Sequence, residues 1–168
     1  KIMAYSSITK PSLHFNTSIY TGNGSTQSIT GVGFQPDFCW NKNRSAATSH
    51  QLFDVLRGAT KRIYSDSTAA QDTNTNSLTS FDSDGFSVGS GTSANGSGNN
   101  IVSWNWKGNG AGSSNSDGDI TSTVSANTTA GFSIVKWTSN GSNDGTIGHG
   151  LGVAPKIVLY KQINQSAS

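Results

Sequence analysis

The sequence contains no glutamate, one cysteine, three prolines and one methionine, and only 12% of its residues are charged. Each scarcity closes a route. All nine acidic residues are aspartates, and with glutamate absent and other helix formers scarce the sequence argues for strands. The lone Cys39 rules out an intrachain disulfide and a thiolate-rich metal cluster. A net charge of +2 is too small to hold nucleic acid or a membrane surface. No apolar run approaches the roughly 20 residues that cross a bilayer, and the first residues lack the apolar core of a signal peptide. The sequence therefore leads us to expect no nucleic-acid partner and no membrane insertion.

What remains is Ser, Thr, Asn and Gly around short apolar runs, with hydrophobic residues at 32%. Low charge and clustered apolar residues argue against disorder, and β-branched residues with Asn-Gly turns outweigh helix formers. The expected fold is all-β, an antiparallel jelly-roll-like β-sandwich with long Gly/Ser/Asn loops. Tyr20 to Thr30 reads as a short strand broken by a hairpin turn at Asn23-Gly24. Phe34, Phe38 and Trp40 share one face of the next strand, with Cys39 and Asn41 on the other. Ser49 to Gly58 fits either one helical turn or a strand, the strand slightly better. Ser77 to Phe81 and Gly85 to Val88 bracket an Asp82-Ser83-Asp84 turn as a hairpin. Ile101 to Lys107 alternates most clearly, Val102, Trp104 and Trp106 against Ser103, Asn105 and Lys107, and the apolar face is expected inside.

One stretch occurs twice. Gly31-Val32-Gly33-Phe34-Gln35-Pro36 is answered by Gly150-Leu151-Gly152-Val153-Ala154-Pro155, and the lead-in Tyr20-Thr21-Gly22-Asn23-Gly24-Ser25 by Trp137-Thr138-Ser139-Asn140-Gly141-Ser142. The structural repeat is thus marked by Gly31, Gly33, Pro36, Gly150, Gly152 and Pro155, with two extra residues between Gly141 and Pro155. It divides the chain into an N-terminal arm, 1–19, a β-sandwich domain, 20–136, and the start of a second repeat unit, 137–168, truncated or completed by a neighbour. The apolar Ile157, Val158, Leu159 and Tyr160 would leave an edge that pairs or aggregates.

No constellation carries chemistry. Asp82-Ser83-Asp84-Gly85 and Asp117-Gly118-Asp119 resemble fragments of calcium loops, but they lack the spacing and the closing glutamate, and Asx-type turns explain them better. His14, His50 and His149 are scattered, serine is too abundant for any match to a triad to mean much, and no aspartate pair stands out for glycoside hydrolysis. Cys39, between Phe38 and Trp40, suits an inert thiol. The basic group Arg57, Lys61 and Arg62 reads as a solvated face that needs no partner. Of the four tryptophans, core packing is preferred for Trp104 and Trp106; Trp40 and Trp137 are the candidates for contact with a glycan, since an exposed indole stacks on a sugar face.

The chain also resembles an uncharacterised repeat-domain family of marine bacteriophage virion proteins, tail-fibre-like in kind. The likeness rests on Tyr20 to Ser25, Gly33 to Phe38, Asn43-Arg44-Ser45, Leu52-Phe53-Asp54, Arg57 to Lys61, Leu78 to Phe86, Trp104 to Lys107 and Gly148 to Lys156 in that order. It implies a concanavalin-like or laminin-G-like jelly-roll sandwich and carries over no catalytic residue. The expectation that follows is a non-enzymatic structural and adhesive component of a virion, without a cofactor. Its partners would be copies of itself in a homo-oligomer (a trimer, from the resemblance together with the preference of identical subunits for closed rings), other virion proteins and a host-surface glycan. The alternative is a carbohydrate-binding, lectin-like module; a polysaccharide depolymerase ranks last.

Overall fold

The computed structural model describes residues 8–164. A 3-10 turn, Pro11–Leu13, precedes β1 (Phe15–Thr21), β2 (Gln27–Ile29), β3 (Phe38–Asn43), β4 (Gln51–Asp54), β5 (Lys61–Tyr64) and β6 (Asp72–Thr73). Then come β7 (Leu78–Asp82), β8 (Gly85–Val88), the one-turn α1 (Thr92–Asn95), β9 (Asn100–Trp106), β10 (Ser113–Asn115), β11 (Ser122–Asn127) and β12 (Phe132–Trp137).

Three antiparallel sheets result, ordered β1-β9-β3-β4-β5-β6, β2-β8-β7 and β10-β11-β12. The first two form an all-β sandwich. Their shared core draws Tyr20, Cys39, Phe53 and Ile101 from the large sheet and Ile29, Leu78, Phe86 and Val88 from the small one, closed by Ala94 of α1. Fully burying a Phe or Leu side chain contributes about 1.5–3 kcal/mol, so this cluster is the main source of cohesion.

The hairpin at Leu78 to Val88 forms as read, with Ser83 and Asp84 as its two-residue turn. Ser49 to Gly58 divides between its two readings: Gln51–Asp54 is strand, and a helical turn follows, closed by Gly58 N–H on Asp54 O at 3.0 Å. Asn23-Gly24 turns the chain but makes no hairpin. β1 and β2 lie in different sheets, because the Asn95 carboxamide, fully buried, accepts the Asn23 N–H and donates to Asn23 Oδ1, Gly89 O and Ser25 O, fixing this stretch as a crossover.

The alternation of β9 is present with its sides reversed. Ser103 and Asn105 lie in the sandwich interior beside Cys39, while Trp104 and Trp106 are half-buried on the outer face. The interior tolerates these polar groups because they satisfy one another. Asn105 accepts from Ser103 Oγ at 2.8 Å and Cys39 Sγ at 3.3 Å and donates to Asn16 O at 3.2 Å.

The third sheet packs on one end of that outer face. Phe132 of β12 stacks on Trp106 with ring centres 6.1 Å apart and meets Phe38 at 6.1 Å; Phe15 closes on Trp106 from the other side at 4.8 Å. Phe15 to Ile19, read from sequence as the end of an arm, are the first part of β1, paired along their length with β9. Ile157 to Tyr160 form no strand.

Candidate functional site

Two features stand out, and the first is the repeat. In its first copy, Gly31 and Gly33 take φ of 83° and 87°, which only glycine adopts without strain. That backbone turns both N–H groups onto the Asp84 carboxylate, at 3.0 and 2.6 Å, and these donors hold Asp84 below the ordinary carboxylate value of 3.8. Asp84 sits in the β7–β8 turn, so the contact ties the start of the repeat to the small sheet. Pro36 is buried, and Asp37 follows with its carboxylate accepting Gly108 N–H at 2.8 Å and Gly110 N–H at 3.2 Å. β3 then runs through the middle of the large sheet, between β9 and β4.

The second copy reproduces the left-handed glycines and the Asx turn. Gly141 has φ of 82° where Gly24 has 70°, and Gly150 and Gly152 have 70° and 71° where Gly31 and Gly33 are also left-handed. Asn140 Oδ1 accepts Ser142 N–H at 2.9 Å, as Asn23 Oδ1 accepts Ser25 N–H at 2.8 Å. By the same alignment β12 is the counterpart of β1, Phe132 answering Phe15 and Trp137 answering Tyr20. The copies differ in what covers them. Phe34 is 4% exposed and its counterpart Val153 68%; Cys39 is 0% exposed and Val158 73%. Pro155 is exposed where Pro36 is buried. The last stretch is held at its far end, by Gln71 N–H on Ile163 O at 2.9 Å and Lys161 Nζ on Ser67 O at 2.6 Å, and by Tyr160 lying 5.7 Å from the Trp137 ring.

The second feature is the outer face of the large sheet. Trp40 and Trp104 are register partners on adjacent strands, half-buried, with ring centres 6.3 Å apart at 80°. His50 flanks them, its Nδ1 accepting the Trp40 Nε1–H at 2.8 Å, so the one donor of that indole is already used. Ile19 and Val102 continue the strip toward Lys42, whose ammonium is bound to Asn43 O and Ala46 O. Trp40 and Trp137, both singled out as glycan contacts, stand in separate clusters: Trp40 with Trp104 and His50, Trp137 with Tyr160. The Trp40 cluster offers an aromatic platform; its polar groups are mostly spent on the protein itself.

Several other titratable groups are occupied locally. Asp82 accepts from Ser80 and Ser87, and Asp119 accepts from the Thr146 hydroxyl and N–H, which lower its pKa. His14, His50 and His149 make unrelated contacts with Asn127, Trp40 and Leu151. Among the described residues no group of three His, Cys or Asp side chains comes together. Burial pushes the Cys39 thiol up, and the Asp37 charge adds to it. Arg57 is no solvated cation: it is buried, 2.5 Å from Asp54, and donates to Leu52 O and Lys61 O. Arg62 pairs with Asp72 at 2.8 Å and lies over the Tyr64 ring. Asp54 stands only three residues before Arg57, so that pair was within reach of the sequence, whereas Asp72 lies ten residues beyond Arg62 and reaches it through the β5–β6 pairing.

The fold defines the class, an all-β sandwich of antiparallel sheets, in which the Gly-x-Gly-x-x-Pro stretch occurs twice. A family model described as a domain of unknown function (DUF7483) matches residues 10–168, and the chain belongs to that family. No curated protein and no solved structure matches it.

Proposed function

We propose that the protein is a non-enzymatic structural and adhesive module of a bacteriophage particle, a component of a tail fibre or related appendage that acts by assembly of repeated sandwich units into a homo-oligomer. The observation that carries this reading is the repeat. The chain spends its second copy on reproducing left-handed glycines and Asx turns whose use in the first copy is to deliver a central strand into a sandwich. Repetition of a whole sandwich start suits a protein that extends unit by unit. The virion setting rests on the sequence resemblance. Assembly is favoured by β1, an edge strand seven residues long that exposes Phe15 and, at 67%, Ile19. Edges of this kind pair with other chains unless blocked, and β1 carries no charge. Native mass spectrometry of the full chain tests the proposal: a discrete multiple of 17.5 kDa is expected, three copies by symmetry, and a single-copy mass at all concentrations would overturn it.

A second reading, a carbohydrate-binding module, is favoured by the half-exposed Trp40–Trp104 pair. A screen against immobilised glycans, read with Trp104→Ala alongside the wild type, decides it. Binding lost in the variant by a monomeric protein would replace the assembly reading.

A further inference from the structure

Four asparagines are followed directly by glycine: Asn23, Asn95, Asn109 and Asn140. In this dipeptide the next main-chain nitrogen reaches the side-chain amide carbon most freely, because glycine has no Cβ in the way. Attack needs a peptide nitrogen free to lose its proton, an electrophilic amide carbon, and water to complete the reaction. At three of the four sites the fold withholds the nitrogen. Gly24 N–H is held by Asn95 O at 2.8 Å and Gly96 N–H by Thr92 O at 3.1 Å. Asn95 is also fully buried, its carboxamide tied to Asn23 and Gly89. Gly110 N–H donates to the Asp37 carboxylate at 3.2 Å, and a negative charge beside an amide opposes loss of its proton.

Asn140 differs on each count. Residues 138–146 are all exposed. Among the described residues Gly141 N–H is bonded only to the exposed Ser139 hydroxyl, at 3.1 Å, a partner that water can replace. Asn140 Oδ1 accepts Ser142 N–H at 2.9 Å, so a donor already sits on the oxygen where negative charge develops when the amide carbon is attacked. Asn23 Oδ1 accepts Ser25 N–H in the same way, so the Asx turn alone does not decide reactivity; the engagement of the glycine nitrogen does.

We propose that Asn140 is a site of spontaneous covalent modification, at which the folded chain converts asparagine to aspartate and isoaspartate ahead of its other Asn-Gly pairs. Gly141 N gives its proton to a base in the solvent and bonds to Asn140 Cγ. The Cγ–Nδ2 bond then breaks, and that nitrogen takes a proton from water and leaves as ammonia. The resulting succinimide takes up one water. Opening at Cγ gives aspartate; opening at the Asn140 main-chain carbonyl gives isoaspartate, in which the backbone runs on through the side-chain carbon. Either product places a new negative charge in the turn, and isoaspartate also lengthens the backbone between β12 and Gly150. The two copies of the repeat thus share a turn and differ in its chemical lifetime.

The test incubates the full chain in mildly alkaline buffer, which supplies the base. All four sites are followed by peptide mass mapping, with electron-transfer fragmentation to separate isoaspartate from aspartate. Conversion at Asn140 is expected at least about tenfold faster than at Asn23, Asn95 or Asn109, and slower in mildly acidic buffer. The same chain held in urea above its unfolding midpoint is the control. There all four sites should convert at similar rates, because each is an Asn-Gly pair freed from its partners. Asn140→Gln, whose longer side chain closes the corresponding ring slowly, should leave the folded chain unmodified over the same period. First conversion at Asn23, Asn95 or Asn109, equal rates at all four sites in the folded chain, or a folded Asn140 that stays intact while the unfolded one converts would each overturn the proposal.

Discussion

At the scale of single residues, two buried asparagines that look alike in sequence have opposite standing. Asn105 is fully satisfied by Ser103, Cys39 and the β1 backbone. Asn41, also buried on the inner face, has no hydrogen-bond partner for either side-chain atom among the described residues. Removing a satisfied buried amide strands its partners, whereas removing an unsatisfied one strands nothing. Asn105→Leu should therefore cost about 2–3 kcal/mol in urea unfolding, and Asn41→Leu about 0–1 kcal/mol of either sign. Equal losses would contradict the assignment of this network. Asp84 gives the pH prediction. Its folded pKa is depressed by the Gly31 and Gly33 N–H donors, so its contribution is fully present above 3.8 and is lost as pH falls through the lower folded value. Asp84→Asn should accordingly lower the urea midpoint at pH 7, and the gap to the wild type should narrow as pH drops below 3.8. A constant gap would mean that the carboxylate charge is not what holds the turn.

At the scale of elements, the β7–β8 hairpin shows what the sequence could specify and where it stopped. Apolar runs bracketing Asp82 to Asp84 located both strands, and Gly85 in that turn is irreplaceable for a reason only the tertiary structure reveals. Its φ is 150°, and an added Cβ would lie 1.9 Å from Ile29 O. Gly85→Ala should cost about 3 kcal/mol or more, read as a lowered thermal or urea midpoint. A loss under about 1 kcal/mol would show that β2 can yield. β9 teaches the complementary lesson. Period-2 alternation places Trp104 and Trp106 on one face and Ser103 and Asn105 on the other, but it does not say which face is covered. That was decided by groups far away in the chain: the Cys39 thiol and the β1 carbonyl that occupy Asn105, and Phe132, which covers Trp106 from outside. Hydrophobicity alone chose the wrong side. α1 left no periodic signal in Thr92–Asn95, because one turn is shorter than the period it would display, and Asn95 became a hub through contacts with residues some seventy positions earlier.

At the scale of the whole molecule, the repeat was legible because left-handed turns require glycine and the two copies keep it in step. The position of the second unit was not, since its first strand had to be recognised by place in a sheet. β12 matches β1 by alignment and by the turn that follows, so the repeat begins before Trp137, within the third sheet. The outer face of the large sheet is capped at one end by the third sheet, through Phe132 on Trp106 and Phe38. Among the described residues β1 is paired on one side only, an edge strand of the large sheet. The proposed function as an assembling module depends on this edge. Sedimentation equilibrium of the wild type beside Ile19→Asp tests this most directly, because Ile19 is exposed and a charge there blocks edge pairing without touching the core. The account predicts a discrete wild-type oligomer, three copies if the resemblance to fibre proteins holds, and a folded monomer for the variant; a monomeric wild type, or an oligomer unchanged by the aspartate, would contradict it.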